Sequence, residues 1–124
     1  MTTQEPDFWG DLEVDTTVTP SMILKQQAAL LGVKTKHLLD AEVRTEASGG
    51  SFFHSFCLVV PGLDNYTYEL FRVYHGVSLY PVAVLRDQVR PFKTEEEFTS
   101  WVHQRLSSPD TKRIVANLLS LARG

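Results

Sequence analysis

The chain reads as an α+β domain of order α-β-β-β-β-α-α: a four-stranded antiparallel meander sheet with one N-terminal and two C-terminal helices. Apolar residues alternate with a period of two through Leu39 to Arg86, and fall at spacings of three and four on either side of that block. The links between the alternating runs are a few residues each, too short for the crossovers that parallel strands need.

Residues 1–18 read as an acidic, partly flexible arm and residues 19–124 as a single domain. The arm holds Glu5, Asp7, Asp11, Glu13 and Asp15, so five of the chain's carboxylates lie in its first fifteen residues. The first helix opens at Thr19-Pro20, with threonine as the N-cap and proline where a missing N–H costs nothing. Leu24, Ala28, Leu31 and Leu38 then fall on one stripe, widened by Ile23 and Leu30. Gly32 weakens the helix by up to about 1 kcal/mol relative to alanine, which predicts a bend or an end there.

Strand one alternates strictly, with Leu39, Ala41, Val43, Thr45 and Ala47 on one side and Asp40, Glu42, Arg44 and Glu46 on the other. Its charged outer row marks a sheet margin, since charges guard an edge against further pairing. Ser48-Gly49-Gly50-Ser51 turns into strand two, Phe52 to Val60, and Pro61-Gly62-Leu63-Asp64 turns into strand three, Asn65 to His75. Gly76-Val77-Ser78 leads to strand four, Leu79 to Arg86. After Pro91 the spacing is helical again. Thr94 and Glu97 stand as a capping box, and Phe98, Trp101, Val102 and Leu106 supply an apolar stripe. Ser108-Pro109 repeats the cap-plus-proline start, and Ile114, Val115, Leu118, Leu119 and Leu121 form the apolar face of the last helix.

Strands two to four carry large apolar residues on both alternating faces, so the sheet needs cover on both sides. If the turns close in the simplest register, Phe52, His54, Phe56, Leu58 and Val60 share the apolar face of strand one. They are joined there by Tyr66, Tyr68, Leu70, Arg72 and Tyr74, then by Tyr80, Val82 and Val84. A slip of one residue would exchange the faces of any one strand. On this face His54, Arg72, Tyr74 and Tyr80 form one polar constellation inside an apolar wall, suited to a small anion, with His54 as general acid or base. A lone histidine between phenylalanines is more often a satisfied core residue than a site, and arginine and tyrosine tips commonly reach water from a sheet end.

The opposite face would carry Phe53, Ser55, Cys57, Val59, Phe71, Val73, Ala83 and Leu85. With a charged rim it has the anatomy of an interface, and Phe53, Phe71, Val73 and Leu85 are its candidate contacts. Either one of the three helices covers this face or another chain does. Phe8 and Trp9 join the candidates, because two adjacent aromatics in a polar arm pack on something.

Composition narrows the function classes. The chain is 43% apolar and 22% charged with a net charge of -3, and its body beyond the acidic arm is close to neutral. That supplies no basic stripe for a nucleic acid. No apolar run approaches the roughly 20 residues that span a bilayer, and the first residues lack the basic and apolar regions of a secretory signal. Cys57 is the one cysteine and sits among Phe56, Leu58 and Val59, as a buried structural thiol does. No H-E-x-x-H, P-loop or G-x-G-x-x-G motif occurs, so neither a metal nor a cofactor is expected and enzymatic function has little support. The expectation is a small cytosolic protein-protein interaction protein, bacterial in style, of inhibitor, immunity or accessory type. It would act through a sheet face and the acidic aromatic arm, with a homodimer as one form. The alternative is a small-anion or metabolite-binding protein or enzyme, using a helix-sheet cleft around His54 and Arg72.

Overall fold

A computed structural model describes residues 6–13 and 17–124 of the chain. Glu5 and Asp15 of the acidic arm lie outside the described residues. One helix, α1 (Pro20–Lys34), precedes four strands, β1 (Asp40–Ser48), β2 (Ser51–Val60), β3 (Tyr66–His75) and β4 (Ala83–Val84). Two helices follow, α2 (Glu95–Leu106) and α3 (Pro109–Arg123). The strands form one open antiparallel sheet in the order β1-β2-β3-β4. This is the expected α+β meander with the expected order of elements.

Local chemistry sets the boundaries. The Thr19 hydroxyl accepts from the Met22 N–H and starts α1 with Pro20 in its first turn. At the other end Lys36 and His37 are left-handed, so α1 stops at Lys34 and Leu38 lies beyond the helical stripe. The Thr35 hydroxyl accepts from the Leu39 N–H at 3.2 Å and lies 2.7 Å from the Leu39 carbonyl oxygen, tying the helix end to the entry of β1. Gly32 serves contact here. A Cβ on it would sit 2.7 Å from Asp40 Oδ1, which pairs with His37 Nδ1 across the helix end.

The β1–β2 hairpin turns on Gly49 and Gly50, both with positive φ, as a two-residue turn matched to strand twist requires. Its register sets Ala41 opposite Leu58, Val43 opposite Phe56 and Thr45 opposite His54. The β2–β3 pair departs from the simplest register. Phe56 pairs with Phe71 but Cys57 pairs with Glu69, so Leu70 is an extra, unpaired residue and β3 carries a bulge there. The bulge reverses the alternation. Phe71, Val73 and His75 lie on the face of Phe56 and His54, whereas Arg72 and Tyr74 lie on the other, opposite Ser55 and Phe53. The apparent double-sidedness of β3 is therefore largely one apolar face with a phase slip.

Strand four is shorter than its apolar pattern implies. Pro81 offers no N–H to a ladder, and Leu79 and Arg86 are left-handed, which confines the pairing with β3 to Ala83 and Val84. Val82 turns its backbone instead to Phe92, exchanging hydrogen bonds of 2.9 and 2.7 Å.

All three helices pack on the face of His54. Helix α1 lies over β1 and β2, α2 lies beside α1, and α3 packs on α2 and on the short helical turn Pro61–Leu63. Trp101 of α2 meets Phe71 edge-on, and Phe71 stacks on Phe56. Leu24, Leu39, Phe56, Leu58, Val60, Val73, Val82, Phe98 and Val102 are fully buried between helices and sheet. The bulge is bound into this packing, because the Arg105 guanidinium donates to the Leu70 carbonyl at 3.3 Å and also to the buried Thr111 hydroxyl at the α2–α3 corner. No helix among the described residues is long and apolar enough to cross a membrane.

Candidate functional site

The residues that sequence reading grouped around an anion are divided by the bulge. His54 is buried under the helices, while Arg72 is on the opposite face, its Nε donating to the Ser55 hydroxyl at 2.9 Å and its guanidinium paired with Glu69. Tyr74 stacks on Phe53, also on that opposite face. Tyr80 is half-buried, and its hydroxyl is buried without a hydrogen-bond partner among the described residues. Burial pushes its phenol pKa up, with the carboxylates of Glu95 and Glu96 acting in the same direction.

His54 has another partner, one that the expected register hid. Its Nε2 lies 2.8 Å from Nε2 of His75, and the two rings stack. The protons follow from the outer contacts. His75 Nδ1 lies 2.7 Å from the Gly76 carbonyl, which can only accept, so Nδ1 carries the hydrogen and the neutral ring leaves Nε2 as an acceptor. His54 then donates from Nε2 to His75 and accepts at Nδ1 from the Thr45 hydroxyl at 2.9 Å. Every ring nitrogen is satisfied with both rings neutral. Burial, and after it the charges of His75 and Lys25, pushes the His54 pKa down to about 4. With their Nε2 atoms turned on each other, these rings hold β1, β2 and β3 together and present no free nitrogen to a substrate.

The candidate interface residues also separate. Phe71 and Val73 are buried in the core. Phe53 stays on the uncovered face with Ser55 and Cys57, and Ala83 faces the same way opposite Tyr74, with Leu85 next but one to it. This face has a shallow hollow of about 490 Å³ lined by sheet residues alone, among them Arg44, Glu46, Thr67, Glu69 and Arg72. Its longer side chains cover it. The Arg72–Glu69 and Arg44–Glu42 pairs lie over the strands, and Ser55 and Cys57 beneath are buried, with burial pushing the Cys57 thiol up. The question left by the double-sided strands thus has a structural answer: the second face carries polar cover of its own and no helix.

Phe8 and Trp9 stand almost entirely in water, 92% and 78% exposed, with Leu12 at 73%. The Asp7 carboxylate accepts from the Trp9 N–H at 2.9 Å and turns the arm locally around them.

A second recess, of about twice the volume of the hollow on the open face, is lined by residues the sequence reading did not group. Helix α1 forms one wall, α2 with the start of α3 forms the other, and β2 and β3 form the floor of a groove of about 1000 Å³. Phe56, Leu58 and Leu70 line the floor, Ile23, Leu30 and Leu31 the α1 wall, and Val102, Leu106 and Val115 the facing wall. Polar groups sit with them at Gln27, Lys34, Glu95, Glu96, Thr99, Ser100, His103 and Lys112. Beneath α1 and α2 the bulge brings both Leu70 and Phe71 to the covered face of the sheet. The one sequence signal for it was the width of the α1 stripe: Ile23 and Leu30 lie too far round the helix for the sheet to bury both, and Leu30 remains 45% exposed. Chemically the recess is an apolar trough with a few charged groups, the composition of a binding pocket. Among the described residues no three His, Cys, Asp or Glu side chains gather into a metal-binding group. No protein-family model, curated protein or solved structure matches the chain.

Proposed function

We propose that the protein is an interaction module that seats an apolar segment of a protein partner in the groove between α1 and α2–α3. The observation that carries this reading is the groove itself, about 1000 Å³ of mainly apolar recess between α1 on one side and α2 with the start of α3 on the other. An amphipathic segment laid into such a trough buries its apolar side against Leu30, Leu31, Leu106 and Val115, and meets Lys34, Lys112, Glu95 and Glu96 at its polar margins. The uncovered sheet face is the weaker candidate, since its ion pairs and polar side chains already shield the residues beneath. The His54–His75 pair supports a binding role over a catalytic one, because it is buried and its ring nitrogens are all partnered within the fold. A reducing compartment such as the cytosol suits the lone buried thiol of Cys57.

Photoreactive residues placed singly at Leu30 in the groove and at Glu46 on the open face test this in the native host. Protein adducts mapped to Leu30 and absent from Glu46 support the groove. Adducts at Glu46 alone transfer the function to the sheet face, and a groove that captures only small molecules at Leu30 makes the protein a ligand carrier.

A further inference from the structure

We infer that the segment seated in this groove is the acidic aromatic arm of a second copy of the chain, the two copies exchanging arms reciprocally. The inference rests on the groove reading above and names its occupant. Two surfaces of the same chain are unpartnered and match in chemistry. Phe8, Trp9 and Leu12 project into water from an otherwise polar arm, and the core draws on residues from Val18 onward without them. The groove offers apolar walls and floor of a size to take them. Phe8 and Leu12 are four residues apart with Trp9 beside them, so a single helical turn sets all three on one side as anchors. The Asx turn from Asp7 to Trp9 already bends the arm at that point.

Charge points the same way. Asp7, Asp11 and Glu13 flank the anchors, and the groove margins hold Lys34 on α1 and Lys112 on α3, neither of which is in an ion pair among the described residues. Glu95 and Glu96 stand on the α2 margin, so the arm's carboxylates belong on the lysine side. Area points to exchange. Each buried aromatic removes about 150–250 Å² from water, so the four aromatics of two exchanged arms remove about 800 Å² of arm surface. One arm folded on its own groove would bury half of that, and in the single chain the arm stands clear of the groove with its aromatics exposed.

Light scattering on full-length proteins across about 1–200 µM tests the exchange. The wild type is expected to be a dimer, and both the arm variant Phe8→Ser/Trp9→Ser and the groove variant Leu30→Glu are expected to be monomers. Leu30 is 45% exposed, so its glutamate variant should keep the wild-type circular dichroism spectrum; Lys34→Glu at the groove margin supplies an independent weakening. The telling sample is an equimolar mixture of the arm and groove variants, which retains one of the two seats and is therefore expected to dimerise at the upper end of this range, where neither variant alone does. Recovery of dimer mass in the mixture supports exchange. A dimeric wild type whose variants do not complement one another, or a monomeric wild type, overturns it. If the wild type is monomeric while Leu30 still photolabels another protein, the second copy is rejected and the groove reading stands; if it is monomeric and Leu30 labels nothing, both fail.

Discussion

His54 donates its single Nε2 proton to His75 across 2.8 Å, and a second proton on His54 places a charge in the buried space under the helices. With the His54 pKa held down to about 4 in the folded protein against an ordinary value of 6.5, the unfolded chain binds protons first as pH falls. The contribution to stability is therefore fully present above pH 6.5 and is lost as pH falls through 6.5 towards 4. Its size is on the order of 3 kcal/mol. Urea unfolding of wild type and His54→Leu at pH 7.5, 6, 5 and 4 measures it. The wild-type stability should fall over this range by about that much more than the variant's, and parallel pH profiles would remove the pair from the account.

The β3 bulge predicts which of two adjacent residues carries stability. Val73 is fully buried and paired opposite His54, whereas Arg72 is half-exposed on the other face. Val73→Ala should cost about 2 kcal/mol, and Arg72→Ala no more than about 1 kcal/mol. A chain without the bulge would show the reverse order.

How far the sequence was legible is clearest at this bulge. The three caps Thr19, Thr94 and Ser108, the glycine turn and the strict alternation of β1 are local signals, each decided within a few residues, and the helices and the meander follow from them. A bulge is decided between strands. Nothing inside Leu70-Phe71 says that one residue will go unpaired, yet the change of apolar phase from Tyr66, Tyr68 and Leu70 to Phe71, Val73 and His75 was visible there. Reading that change as two apolar faces carried Arg72 and Tyr74 to the side of His54 and hid His75 from it. The groove was less legible still, since it arises from helix spacing over the sheet and leaves only the excess width of the α1 stripe in the sequence.

Arg105 is predicted to hold the bulge to the α2–α3 corner. Its guanidinium serves the carbonyl of the bulged residue Leu70 and the Thr111 hydroxyl together. Arg105→Met should destabilise by about 2–3 kcal/mol, and Arg105→Lys should recover little of it, because one ammonium cannot span both acceptors. Thermal melts of the three proteins check this, with full rescue by lysine as the contrary result.

Tyr80 gives a prediction of opposite sign. Its buried hydroxyl has no partner among the described residues, so Tyr80→Phe removes an uncompensated polar atom while keeping the ring. The variant should be as stable as wild type or more stable by up to about 1 kcal/mol. A loss above 1 kcal/mol in chemical denaturation would show that the hydroxyl is bonded.

The groove between α1 and α2–α3 takes the arm of a second copy of the chain, and methyl NMR reads that seating most directly. The full-length Phe8→Ser/Trp9→Ser protein, labelled at leucine and valine methyls, is titrated with a peptide of residues 5–16 of the native sequence. Shifts are expected at Leu30, Leu58, Leu70, Leu106 and Val115, which line the groove, with unchanged signals at Val59 and Leu85. Shifts confined to Val59 and Leu85, or none at peptide concentrations of about 1 mM, would contradict that seating.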